Sequence, residues 1–310
     1  MIEPKKTVPT TFEFTDIAGL VRGASRGEGL GNKFLGNIRE TDAICEVVRC
    51  FRDKDVTHVD GDVDPIRDIE TINLELIMAD LETVEKRIGR LEKKAKSGDK
   101  EAKAEMSVLE KLKPTLEANK PARSIEFDKE EMLIVKQYTL LTMKPLIYVA
   151  NLGEEDLEDP MQNPYYVQVL EFAKEEGSDV VPICAKIEAE LVGMDKEEKA
   201  MFMQDLGIEE SGLDKLIKEA YSLLGLRTYF TAGVQEVRAW TFKEGMTAPE
   251  MAGIIHSDFQ RGFIKAETYS FDDLVEYGSE HALKEAGKIR QEGKQYVGQD
   301  GDIMLFKFNV

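Results

Sequence analysis

Cysteine, histidine and tryptophan are scarce in this chain, at three, three and one of 310 residues. Cys45, Cys50 and Cys184 are too few and too scattered for a disulfide framework or a thiolate metal site. Three histidines leave little material for an imidazole-based metal centre. No stretch approaches the ~18 consecutive apolar residues of a membrane span. The start, Met1-Ile-Glu-Pro-Lys-Lys6, has no apolar core after its charges, as a secretory leader would. A reducing, cytoplasmic setting with no membrane partner is expected. One further absence bears on everything below. The phosphate-wrapping loop Gly-x-x-x-x-Gly-Lys-Ser/Thr occurs nowhere in the 310 residues.

What is abundant is negative charge: 60 Asp and Glu against 41 Lys and Arg, a net of −19. That balance weighs against broad, sequence-independent nucleic-acid binding, which depends on neutralising phosphates. Residues 226–310 hold ten Lys/Arg and thirteen Asp/Glu, so the first 225 carry −16 of the total. An RNA-facing surface is therefore expected toward the C-terminal part. With 42% hydrophobic residues the chain has material for two or three globular domains.

Thr11-Phe-Glu-Phe-Thr-Asp16 alternates apolar and polar residues, which predicts a strand delivering Asp16 to a loop. Gly19–Asn32 contains five glycines, too many for a helix. A helix is expected over Phe34–Glu40 and a buried strand over Ala43–Phe51. After Pro65 the texture changes. Ile69, Ile72, Leu76 and Ala79, then Val84, Ile88, Leu91 and Ala95, recur at helical spacing among Glu, Lys and Arg. Past Lys96-Ser-Gly-Asp99 a second stripe follows: Ala102, Met106, Leu109, Leu112 and Leu116. Two amphipathic helices joined by a short turn predict an extended antiparallel hairpin. Alternation resumes with strands at Pro145–Asn151 and Asp179–Cys184 and helices at Tyr165–Glu176 and Leu213–Leu224. The class is α/β, with a mostly parallel sheet interrupted by the hairpin. From Leu226 a small mixed sheet is expected, crossed by a helix over Met251–Arg261 behind the capping sequence Thr247-Ala-Pro-Glu250. Trp240, Phe306 and Phe308 read as core at strand spacing, and His256 and Asp258 as packing or capping groups.

The chemistry gathers at strand ends. Asp16, closing an apolar segment, is suited to holding Mg²⁺ through water, and Gly19 lets a backbone N–H reach a terminal phosphate. Asn151-Leu152-Gly153-Glu154 stands after a sheet strand, where a GTPase places Asn-Lys-x-Asp to read guanine. Leu replaces Lys there and Glu replaces Asp, which puts guanine selectivity in doubt. Cys184-Ala185-Lys186, after the next strand, matches the Ser-Ala-Lys loop whose backbone faces the base.

Three long segments carry a resemblance: Asp16-Ile-Ala-Gly-Leu-Val-Arg-Gly-Ala-Ser-Arg-Gly-Glu-Gly-Leu-Gly-Asn32, Thr231-Ala-Gly-Val-Gln-Glu-Val-Arg-Ala-Trp-Thr241, and Asp300-Gly-Asp-Ile-Met-Leu-Phe-Lys-Phe-Asn-Val310. On these residues the chain resembles the YchF/Obg-like ATPase family over its whole length. The resemblance implies a GTPase-like nucleotide-binding domain at residues 1–65 and 140–225, an inserted helical hairpin at 66–139, and a β-grasp TGS domain at 226–310. It implies a cytoplasmic, ribosome-associated enzyme that hydrolyses ATP better than GTP with Mg²⁺, and Leu152 stands where the family limits guanine binding. Leu20 occupies the position of the water-orienting Gln of Ras-like enzymes, and His58 matches the family's replacement group. An imidazole titrates near neutrality and can position or deprotonate water. The resemblance also places the family's first strand, Gly-Lys-Ser loop, first helix and first switch upstream of Ile2. This sequence is therefore expected to be a shortened form. The competing expectation is a non-catalytic module that contacts the ribosome or RNA through the hairpin and TGS region.

Overall fold

In a computed structural model, residues 4–17, 30–56 and 61–309 are described, without the side chains of 30–33. The strands are β1 (Lys6–Val8), β2 (Ile44–Arg49), β3 (Leu146–Asn151), β4 (Asp179–Ile183), β5 (Leu226–Ala232), β6 (Glu236–Lys243), β7 (Phe263–Ser270), β8 (Arg290–Glu292) and β9 (Asp302–Phe308). The helices are α1 (Leu30–Glu40), α2 (Pro65–Lys96), α3 (Lys100–Glu117), α4 (Lys129–Val135), α5 (Pro164–Glu176), α6 (Ala185–Leu191), α7 (Lys196–Asp205), α8 (Gly212–Leu223), α9 (Ala248–Ile255), α10 (Ser257–Arg261), α11 (Phe271–Tyr277) and α12 (Glu280–Glu285). They form two compact units, residues 15–220 and residues 1–14 with 221–310.

The larger unit is built on a parallel sheet in the order β2-β3-β4. β3, in the centre, is buried from Leu146 to Ala150, as a strand covered on both faces requires. Its apolar side chains pack with Val48, Ile69, Tyr166, Val169 and Ala173. The hairpin grows from the same unit. Asp64 accepts the Arg67 N–H and Pro65 opens the helix, a favoured start because proline's missing N–H is not needed there. Over 32 residues α2 spans about 48 Å at a rise of about 1.5 Å per residue. Ile69, Leu76 and Ala79 face the sheet side, whereas Val84 and Leu91 pack with Ala102, Leu109, Leu112 and Leu116 of α3. Gly98, at φ 95°, makes the turn, and Asp99 caps α3 through the Ala102 N–H at 2.8 Å.

β2, expected to be a buried strand, is covered on one face only. Glu46 is buried at 9% exposure, while its neighbour Val47 is 66% exposed. Around Glu46 lie Glu176, Arg123 and Asp68. Arg123 donates to Glu176 at 3.1 Å, as does the Tyr148 hydroxyl at 2.9 Å. The Oε2 atom of Glu46 has no hydrogen-bond partner. Burial, reinforced by the Glu176 charge, pushes its carboxyl up to about 8.

The smaller unit is a sheet in the order β1-β6-β5-β9-β7-β8. Tyr229, Phe242, Phe263, Met304 and Phe306 pack beneath α9, with Trp240 half-buried beside them. Tyr269, Ile303, Leu274 and Leu283 fill the opposite face under α11 and α12. Phe308 is more open than expected and stacks on Phe259 at 3.8 Å.

Two expectations are corrected. Thr11–Asp16 forms no strand, and Lys6–Val8 pairs instead in parallel with Glu236–Arg238 of β6. The edge of β6 offers unpaired backbone groups, and Pro9, lacking an N–H, ends the pairing. Phe12, read as strand, packs its ring on Phe14 and Tyr221. The helix expected over Met251–Arg261 breaks at His256, whose extended backbone frees its Nδ1 to accept the Asp258 N–H and cap α10.

Because the Glu46 carboxyl is raised in the fold, the native state holds a proton that the unfolded chain releases between about pH 4.5 and 8. Stability therefore falls as pH rises through that window. Glu46→Gln is expected to match the wild type near pH 4 and to exceed it by about 4 kcal/mol at pH 8. Urea denaturation at both pH values checks this, and equal curves at pH 8 would refute it.

Candidate functional site

The carboxyl ends of β3 and β4 bring together Asn151, Leu152, Glu154, Cys184, Ala185 and Lys186 of the predicted site, and backbone pairing continues just past the strands. The Cys50 N–H donates to the Asn151 carbonyl and the Leu152 N–H to the Ile183 carbonyl, both at 2.8 Å. The Asn151 side chain extends this linkage sideways: its Oδ1 accepts the Ala185 N–H at 3.0 Å, at the start of α6. The loops after β3 and β4 are thus joined by this amide side chain. Lys186 and Glu154, one from each loop, form an ion pair at the exposed surface. The Glu154 carboxylate holds the Lys186 ammonium above its usual range. Cys184 is buried and supplies no side-chain cap to α6.

Leu152, named with the base loop in the sequence, turns its side chain into the core. It is 2% exposed and packs with Val48, Cys50, Tyr166 and Val169 in the sheet core.

After β2, Arg49 organises the segment that follows. Its guanidinium donates to the carbonyls of Phe51, Asp53 and Val56 at 3.1, 3.3 and 3.0 Å and lies 4.7 Å from the Phe51 ring. His58 follows directly and lies outside the described residues, as do Gly19 and Leu20. Asp16 is exposed in an irregular segment and makes no hydrogen bond to the other site residues among those described. A lone carboxylate suits Mg²⁺, which keeps most of its waters and takes further ligands from substrate phosphates. No group of three or more His, Cys, Asp or Glu with metal-ligand geometry occurs among the described residues.

Sequence reasoning missed Asn163. Buried before α5, its Nδ2 donates to the Cys50 carbonyl at 2.8 Å and to Asp156 at 2.7 Å. Its Oδ1 accepts the N–H groups of Tyr165 and Tyr166. Asn-Pro ahead of a helix signals an N-cap, and that much was readable. The bond across to β2 was not, because nothing local encodes it.

Parallel strands alternating with helices, with loops that meet at adjacent carboxyl ends, define a doubly wound α/β class. The chain belongs to the YchF family. Over 310 residues it is 62% identical to the "Ribosome-binding ATPase YchF" of Bacillus subtilis (strain 168), covering all of this chain and 85% of that protein. The protein of the same name from Escherichia coli O157:H7 is 55% identical with the same coverage. The "Structure of the Schizosaccharomyces pombe YchF GTPase" superposes with a TM-score of 0.87 at 39% identity, over 98% of this chain and 82% of that one. Residues 226–309 match the family profile YchF-GTPase_C, described as "Protein of unknown function (DUF933)".

Because Leu152 is core, Leu152→Lys is expected to destabilise the larger unit by about 3 kcal/mol through burial of an ammonium, whereas Leu152→Met stays within about 1 kcal/mol. Chemical denaturation distinguishes the two. A lysine variant as stable as the wild type would show that the side chain can turn outward.

Proposed function

We propose that this protein is a cytoplasmic, ribosome-associated nucleoside triphosphatase that takes Mg²⁺·ATP in preference to Mg²⁺·GTP. The observation that carries the reading is the Asn151–Ala185 bond, which holds two base-facing loops together at adjacent strand ends. The names of the relatives support the ribosome and the triphosphate, although one is called an ATPase and another a GTPase. ATP is favoured on chemical grounds. Guanine selection needs a carboxylate free to accept both N1–H and N2–H₂, and the Glu154 carboxylate is engaged by Lys186. That leaves a base loop without the lysine or the aspartate of a guanine reader. No helix among the described residues is long and apolar enough to cross a membrane.

In this reading Asp16 would hold Mg²⁺ through water, and the Gly19 N–H meets the terminal phosphate. Leu20 has no polar atom to orient water, so His58 takes that part. It accepts a proton from the attacking water or fixes the water's direction. On this reading the nucleotide-binding domain and its helical arm fall within residues 15–220, and a β-grasp TGS domain within residues 221–310. A second reading of the same fold is a ribosome-binding module that does not turn over nucleotide.

Isothermal titration with Mg²⁺·ATP, beside co-sedimentation with ribosomes, separates the two. Micromolar ATP binding is expected on the first reading, and silence with retained sedimentation supports the second. Where hydrolysis is measurable, His58→Ala is expected to slow single-turnover hydrolysis by roughly 10²-fold and leave ATP affinity unchanged. An unaltered rate removes His58 from the mechanism.

A further inference from the structure

The outer part of the hairpin inverts the charge of the protein. Residues 86–104 carry eight Lys and Arg against three Asp and Glu, +5 in a chain of −19. Averaging over the first 225 residues hides this segment, which is why the sequence balance pointed toward the C-terminal part. Along the shaft the charges are matched: Lys86 with Glu82, Arg87 with Glu105, Lys111 with Glu131, and Lys113 with both Glu85 and Glu117. Around the turn the matching stops. Lys96 pairs with Glu92, and Asp99 is occupied in capping α3. Arg90, Lys93, Lys94, Lys100 and Lys103 are exposed and have no carboxylate within ion-pair distance among the described residues.

Five unpaired cations crowded at one turn repel each other, a cost that neither apolar packing nor solubility demands in a protein this acidic. The hairpin also separates them from the acidic body. From Asp80, where α2 is fixed to the rest of its unit, to Lys96 is about 24 Å of helix at about 1.5 Å per residue. That is about three Debye lengths of about 8 Å at physiological salt, so the tip presents its own charge to a partner. Residues 86–104 contain no Phe, Tyr or Trp, which leaves nothing to stack on bases. Lysines act on phosphates as point charges and need no fixed geometry.

The geometry points to the hairpin tip as an electrostatic contact for the phosphate backbone of structured RNA, made by Arg90, Lys93, Lys94, Lys100 and Lys103 without base readout. This rests on the ribosome-associated reading and names the RNA as what the arm touches. An acidic protein surface is the competing occupant. RNA is favoured because the contact lacks the aromatic or apolar anchors on which protein interfaces depend.

The test uses the full chain, a naked RNA duplex of about 20 base pairs, and ribosomes. Lys93→Glu/Lys94→Glu/Lys100→Glu is compared with Lys174→Glu/Lys196→Glu/Lys284→Glu, which makes the same change in net charge at exposed lysines elsewhere. Thermal melts monitor folding of both. The tip variant is expected to lose at least tenfold in duplex affinity at about 0.15 M salt. Its slope of log affinity against log salt should shrink by about 3, at ~0.9 per phosphate contact, while the control changes less than threefold. Equal losses in both variants, or no duplex binding by the wild type, overturn the proposal. Tip-dependent sedimentation without duplex binding also overturns it, in favour of a protein partner. Tip-dependent duplex binding without sedimentation sustains the RNA contact and refutes the ribosomal reading alone.

Discussion

The buried carboxylate of Asp80 fixes the point from which the rest of the larger unit is built. It lies in the middle of α2 with no solvent exposure. It accepts the Leu141 N–H at 2.9 Å, and the Thr142 N–H and hydroxyl, each at 2.7 Å. Thr142 Oγ1 accepts in turn from the Ala122 N–H, where the chain returns from α3. Arg39 of α1 stands 3.9 Å from the same carboxylate and donates to the Thr139 carbonyl. Outgoing helix, returning chain and the lead into β3 therefore meet at one anion. Burial raises its carboxyl, and the donors from Thr142 and Leu141 and the Arg39 charge pull against that rise. Such a group is tolerated in an interior only because its lone pairs are filled, and removing a single donor would strand the others.

That anchor divides α2 into two regimes. Before it, Ile66, Ile69, Ile72 and Leu76 lie in clusters shared with the sheet and α1. Beyond it, Leu81, Val84, Ile88, Leu91 and Ala95 belong to the seam with α3. A single seam buries little apolar surface per residue, yet Val84, Leu91, Ala102, Leu109 and Leu112 are buried in it, and that packing holds the outer hairpin while its exposed ion pairs add little. The narrow stripe visible in the sequence is the direct record of this geometry.

How much was legible follows from how local each signal is. The hairpin, the central strand, the capping sequence before α9 and the Asn-Pro start of α5 are written in consecutive residues, and the structure contains them. Thr11–Asp16 has strand alternation, but a strand exists only where a partner edge accepts it, and Lys6–Val8 took the available one. Glu46 and Val47 mislead for a similar reason. The sidedness of β2 follows from its in-register pairing with β3, and that register buries Glu46 beside Arg123 and Glu176. Of the site, the motif spacing picked out Asn151, Glu154, Ala185 and Lys186, which the fold unites. It also picked out Leu152, whose side chain the fold assigns to packing. Gly19, Leu20 and His58 lie outside the described residues.

The hydrogen bonds at and beside Asn151 join the two loops largely through backbone groups. Its bond to Ala185 is to backbone, and the flanking links from Cys50 to Asn151 and from Leu152 to Ile183 are backbone to backbone. None of them depends on the identity of residue 152 or 154, provided residue 152 is apolar enough for the core. The scaffold that brings the two loops together is thus separable from the side chains that would read a base. Leu152 packs in the sheet core and Glu154 pairs with Lys186 of the neighbouring loop, so the side chains at both positions are engaged within the loop pair itself.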